Sequence, residues 1–166
     1  LIIPEKEIQK TVRRLGRRIS KDYEGREIFC VGVLKGALLF LSDLVRNITV
    51  PTSYDFMAIS SYGAATKSSG VVRIIKDLDL PVESKHVLIV EDIVDSGLTL
   101  NYLITNLRTR NIASLKVCAL LDRPYRREVA VPVDYNGFQI SDDFVVGYGL
   151  DFNQNYRNLR DIYALE

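Results

Sequence analysis

Residues 87–99 read VLIVEDIVDSGLT, and this stretch decides the fold. The apolar run Val87–Val90 is too hydrophobic to keep one face in water, as expected of a strand covered on both sides. Glu91, Asp92 and Asp95 follow at its carboxyl end, and Ser96-Gly97-Leu98-Thr99 turns the chain into a helix. Backbone N–H groups at a helix N-terminus hold an anion, with the Ser96 and Thr99 hydroxyls as added donors and Gly97 letting the backbone close in. Neighbouring carboxylates accept hydrogen bonds from vicinal hydroxyls and hold magnesium through its waters. Cup and carboxylates together describe a ribose 5-phosphate. The plainer alternative is an N-cap at Asp95-Ser96 beside two solvated strand-end acids. Neither GxxxxGK[ST] nor GxGxxG occurs, which excludes the two common glycine-rich nucleotide loops.

Outward from this segment, short apolar runs alternate with helical stripes. Ile8, Val12, Leu15, Ile19 and Tyr23 mark one face of a helix over Pro4–Tyr23. Its other faces carry Lys6, Lys10, Arg13, Arg14, Arg17, Arg18 and Lys21, read as a solvated surface because no nucleic-acid-binding signature follows. Ile28–Leu34 is a buried strand, Gly36–Asn47 a helix, and Tyr54–Ser60 a second strand. Ser61–Gly70 loses all periodicity and is expected to be a long loop. Val71–Ile75, His86–Val90 and Leu115–Leu121 read as further strands, and Leu98–Arg108 as a helix. The alternation predicts an α/β fold, a mainly parallel sheet flanked by helices that binds ligands outside the strands' carboxyl ends. After Asp122 the pattern becomes short strands near Val133–Ile140, Phe144–Gly149 and Asp161–Leu165. No repeat or linker interrupts residues 1–166, so one domain is expected.

Composition narrows the chemistry. The 166 residues carry 22 Lys+Arg against 21 Asp+Glu, a net charge of +1, with 47% apolar and 26% charged residues, the profile of an ordinary globular domain. The single histidine, His86, excludes two-histidine zinc sites and leaves little room for histidine relays, so carboxylates are expected to do the proton work. Cys30 and Cys118 lie in apolar runs, which excludes a disulfide framework and points to buried thiols in a reducing compartment. No apolar run approaches 18 residues. No membrane or nucleic-acid partner is expected, and the location expected is cytoplasmic.

VEDIVDSGLT, residues 90–99, resembles the phosphoribosyl-pyrophosphate signature of type I phosphoribosyltransferases. Leu34-Lys35-Gly36, Ser61-Tyr62 and FVVGYGLDFNQNYRNL from Phe144 to Leu159 extend the resemblance to hypoxanthine-guanine phosphoribosyltransferases over nearly the whole chain. It implies the type I fold, with a core over about residues 5–122, a small hood formed largely by residues 123–166 and a flexible lid over Ser61–Gly70. The implied reaction moves a 5-phosphoribosyl group from magnesium-bound phosphoribosyl pyrophosphate to N9 of a 6-oxopurine in purine salvage, giving IMP or GMP and pyrophosphate.

The resemblance also implies roles. Glu91 and Asp92 take the ribose hydroxyls and magnesium, and Asp95, Ser96, Gly97, Leu98 and Thr99 hold the 5-phosphate. Asp95 exchanges a proton at purine N7, helped by the nearby phosphate, which disfavours its ionised form. Lys35, Gly36 and Arg157 bind pyrophosphate, and Asp151 lies at the purine end as a second metal ligand. A cis Leu34–Lys35 peptide belongs to the same pattern. Phe144 stacks on the purine, Val145 offers backbone hydrogen bonds, and Ser61 and Tyr62 close the lid. Arg123 stands where the family usually has a lysine that donates to the purine 6-oxygen, an exchange that is not conservative at a directional site. A homodimer or homotetramer is implied, with the first helix and the Leu34–Asn47 region as interface surfaces. The competing readings are a regulatory domain that only senses phosphoribosyl pyrophosphate, and a transferase preferring xanthine. Joint retention of Lys35, Ser61-Tyr62, Asp95 and Arg157 argues against the first.

Overall fold

The computed structural model describes residues 1–61 and 72–166. In chain order these form α1 (Glu5–Asp22), β1 (Ile28–Leu34), α2 (Leu38–Val45), β2 (Thr52–Ser61), β3 (Val72–Lys76), β4 (His86–Val94), α3 (Leu98–Arg108), β5 (Ser114–Asp122), a 3₁₀ turn (Pro124–Arg126), β6 (Tyr135–Gln139), β7 (Val145–Val146) and β8 (Tyr163–Ala164). Six strands make one sheet in the order β3-β2-β1-β4-β5-β6. Every pairing in it is parallel except β2 with β3. This is the expected fold class.

The sheet is covered on both faces because successive strand residues point to opposite sides. Leu88 and Val90 of β4, with Cys30, Cys118 and Leu120 of its neighbours, pack against Ile8, Val12, Leu15 and Ile19 of α1 and Phe40, Leu41 and Leu44 of α2. Val87 and Ile89, with Phe29, Val31, Val117 and Ala119, pack against Leu100, Leu103, Ile104 and Leu107 of α3. The stripes read from sequence are therefore the two core-facing surfaces. Both cysteines are buried free thiols, and burial pushes the Cys30 thiol up to about 12. Among the described residues no helix is long and apolar enough to cross a membrane.

Three boundaries differ from expectation. β4 does not stop at Val90 but runs to Val94, because Glu91, Ile93 and Val94 continue the ladder with Ala119, Leu121 and Asp122 of β5. Backbone pairing, rather than side-chain hydrophobicity, sets its end. β6 lies in the main sheet beside β5, so that sheet continues past Asp122. The strand expected over Phe144–Gly149 shrinks to two residues, because Gly147, Tyr148 and Gly149 all have positive φ and turn the chain away. β7 pairs antiparallel with β8, and Ile3 bridges Ile162 to attach this ribbon to the start of α1.

Candidate active site

β1, β4 and β5 are neighbours in the sheet, and the segments leaving their carboxyl ends build the site together with residues 141–157, which follow β6. At β4, Glu91 is buried and Asp92 half-buried, the latter accepting a hydrogen bond from the Ile93 N–H at 2.8 Å. Burial raises the proton affinity of both carboxyls well above the ordinary range. For Glu91 the charge of Asp92 adds to the effect. Two acids are thus held where ionising both is costly, and a cation or a set of hydroxyl donors relieves that cost.

Beyond them the chain bends at Gly97, whose φ of +84° is the left-handed conformation that only glycine adopts without strain. A methyl there would meet the Val129 carbonyl oxygen at 2.7 Å. α3 begins at Leu98 with no side-chain cap, and a cavity of about 190 Å³ lies over this turn, lined by Glu91, Asp95, Ser96, Gly97 and Thr99 among others. The Ser96 hydroxyl accepts from the Leu98 N–H at 3.3 Å. The turn and helix start read from the sequence are present, and of the nearby acids Glu91 and Asp95 line the cavity while Asp92 does not.

At β5, Arg123 is 3% exposed and donates to Asp95 at 3.2 Å and to the Ser141 carbonyl at 3.0 Å, with a further bond to the Asp143 carbonyl. Phe144 follows directly, half of its surface exposed and its ring edge-on to Phe152 at 5.9 Å. Val145 is buried in β7.

At β1, the Leu34–Lys35 peptide is cis. Gly36 sits so close to Asp92 that a methyl would overlap its carboxylate. Lys35 Nζ donates to Gln154 Oε1 at 3.2 Å, and Arg157 Nη2 donates to the same oxygen at 3.2 Å. Arg157 also pairs with Asp151 at 3.2 Å, and the Gln154 N–H donates to Asp151 at 2.8 Å. One cluster of opposite charges therefore joins residues 35–36, 92 and 151–157.

The phosphoribosyl transferase domain, as a family profile, matches residues 3–153. This chain belongs to the phosphoribosyltransferase family. A hypoxanthine-guanine phosphoribosyltransferase of Mycobacterium avium is 49% identical over 172 aligned positions that take in all of this chain and 85% of that protein. The Bacillus subtilis protein of the same name is 49% identical over 166, covering 92% of its length. A crystal structure of a hypoxanthine phosphoribosyltransferase from Staphylococcus aureus superposes with a TM-score of 0.96 at 45% identity, covering 100% of this chain and 90% of that one.

Within this phosphoribosyltransferase, most of the residues singled out from sequence fall at the carboxyl edge of β1, β4 and β5 or in the segments packed against it. Glu91, Asp95–Thr99 and Arg123 lie at the ends of β4 and β5 with Phe144 and Val145 nearby, Lys35 and Gly36 follow β1 with Asp92 against Gly36, and Asp151, expected at the purine end, pairs with Arg157. Ser61 closes β2, while Tyr62 and the rest of the expected lid lie outside the described residues. His86, given no role, starts β4 and contacts the Ser114 hydroxyl at 2.6 Å, away from the site. Two contributors were missed. Arg127 donates to the Val94 and Asp95 carbonyls at 3.1 and 2.8 Å and pairs with Asp122, fixing the turn before the cup. Gln154 holds Lys35 and Arg157 together. Arg127 is one of two consecutive arginines and Gln154 a polar residue in a polar tail, so neither carried a distinguishing signal.

Proposed function

We propose that this phosphoribosyltransferase moves the 5-phosphoribosyl group of phosphoribosyl pyrophosphate to N9 of a 6-oxopurine, hypoxanthine or guanine, releasing pyrophosphate. The observation that carries the reading is the cavity over the turn at residues 95–99, with buried Glu91 on its wall, half-buried Asp92 next in the strand, and Asp95 paired to Arg123 on the side of Phe144. Positive charge develops on the ribose as pyrophosphate leaves, and the carboxylates stand where they stabilise it. Glu91 and Asp92 accept hydrogen bonds from the ribose hydroxyls. The N–H groups and hydroxyls of Ser96–Thr99 hold the 5-phosphate, and Asp95 exchanges the proton at N7.

Lys35, the Gly36 backbone and Arg157 receive the pyrophosphate. Arg157 Nε is buried without a protein partner among the described residues, which suits a donor kept for a ligand. The exposed face of Phe144 takes the purine ring, with Val145 beside its edge. Magnesium fits Glu91 and Asp92, whose burial and mutual repulsion favour a dication, and Asp151 at the other end. When bound it would neutralise phosphate charge. Leu38 and Tyr54, exposed beside Leu41, Val45 and Phe56 in an apolar groove, support assembly into a homodimer or homotetramer.

The test offers hypoxanthine, guanine, xanthine and adenine separately with phosphoribosyl pyrophosphate and Mg²⁺ and follows nucleotide formation. IMP and GMP are the expected products. Product from xanthine alone would move the assignment to that base, and no product from any base would favour a domain that only binds phosphoribosyl pyrophosphate.

A further inference from the structure

Arg123 directs a hydrogen bond from each of its three guanidinium nitrogens to the protein itself. Its backbone N–H donates to the Val94 carbonyl at 3.0 Å, tying the end of β5 to the end of β4. A guanidinium carries five N–H groups in one rigid plane. Nε is taken by the Ser141 carbonyl, Nη1 by Asp95 Oδ1 and Nη2 by the Asp143 carbonyl. The two carbonyls belong to the loop that delivers Phe144, and the carboxylate stands at the entrance to the phosphate cup. One buried side chain therefore spans the parts of the site contributed by β4 and by residues 141–144.

We infer that Arg123 is a positioning residue, which acts by locking the Asp95 carboxylate and the 141–143 loop into a single frame rather than solely by touching the purine. The inference rests on the phosphoribosyl-transfer reading, in which Asp95 handles the purine proton and Phe144 takes the purine face. The fork geometry is what makes the lock work. An ammonium donates from one point, so a lysine at 123 reaches Asp95 or a loop carbonyl but cannot satisfy all three acceptors at once. Arg127 holds the Asp95 backbone independently, through the carbonyls of Val94 and Asp95. Loss of the lock therefore frees the Asp95 side chain and the loop while leaving the turn in place.

The test is Arg123→Lys in the full chain, read three ways. In steady-state nucleotide formation, kcat falls about 10- to 100-fold while KM for the base stays within roughly threefold, the pattern of a misplaced reacting group. Amide hydrogen exchange quickens over residues 141–146 and is unchanged in α3 and β4. In the unsubstituted protein, arginine side-chain NMR shows a slowly exchanging Arg123 Nε–H and hindered guanidinium rotation without any ligand, a reading that does not depend on the variant folding. A freely rotating guanidinium, unchanged exchange at 141–146, or a loss confined to KM for the base would each overturn the inference. Failure of the transfer reading is a separate outcome, recognised by the unsubstituted protein making no nucleotide, and the exchange and NMR arms remain decisive in that case.

Discussion

Replacing Gly36 by alanine isolates one close approach in the site. Gly36 does not have positive φ, so an alanine there is not strained by its backbone. Its methyl, however, would overlap the Asp92 carboxylate, which must move by roughly 1.5 Å to reach ordinary van der Waals separation. The carboxylate is the free end of a side chain, and swinging it away sacrifices chiefly its hydrogen bond from the Ile93 N–H. That costs about 1 kcal/mol, or ~2–4 °C in Tm for a domain of this size. The catalytic cost is larger, because Asp92 is proposed to meet the ribose and displacing a positioning group by about 1 Å costs ~100-fold in rate, near 2.7 kcal/mol of transition-state stabilisation. G36A is expected to melt within a few degrees of the parent while kcat/KM for phosphoribosyl pyrophosphate falls by about two orders of magnitude. Differential scanning fluorimetry and a continuous nucleotide-formation assay read the two quantities. Parent-like kcat/KM with an unchanged melting temperature would show that Asp92 need not stand where it does.

Two further substitutions probe the acids. Asp95→Asn should reduce turnover about 10²- to 10⁴-fold while nucleotide binding stays measurable by calorimetry, and near-normal turnover would remove Asp95 from the proton transfer. Glu91 binds its proton more tightly in the folded chain than in the unfolded one, so its contribution to stability is complete below the ordinary carboxylate pKa and is lost as pH rises through the raised value. Glu91→Gln, neutral throughout, should therefore melt higher than the parent at pH 8, by about 2–4 °C for each kcal/mol relieved, with a smaller difference at pH 4. A gap that widens on acidification would contradict the assigned burial cost.

Much of this architecture is legible because the two periodicities are clean. Val87–Val90 leaves no wet face, and Ile8, Val12, Leu15 and Ile19 fall in a single helical row, so sheet and covering helices follow from hydrophobic pattern alone. The turn from β4 into α3 was legible for a different reason: acids, a small turn and a helix start lie within nine residues of one another. What escaped depended on partners distant in sequence. The Gln154 oxygen acquires meaning only when Lys35, 119 residues away, is folded against it. The extra residues of the β4 ladder depend on β5, and nothing in Glu91-Asp92 announces that the strand continues. Arg123 drew notice as a donor to a ligand, yet its contacts to Asp95, Ser141 and Asp143 emerge only when the end of β5 meets the end of β4 and the loop after β6.

The order β1-β4-β5 has a metric consequence. Parallel neighbours stand about 4.8 Å apart, so three adjacent strand ends mark out a ruler of about 10 Å along one edge of the sheet. On the proposed reading, Lys35 and Gly36 of the pyrophosphate site leave the first mark, the sugar and phosphate anchors the middle one, and Arg123 beside the base site the third. Leaving group and acceptor are thereby held on opposite sides of the ribose, and the sugar carbon has only to shift along an axis that the strand spacing has already measured.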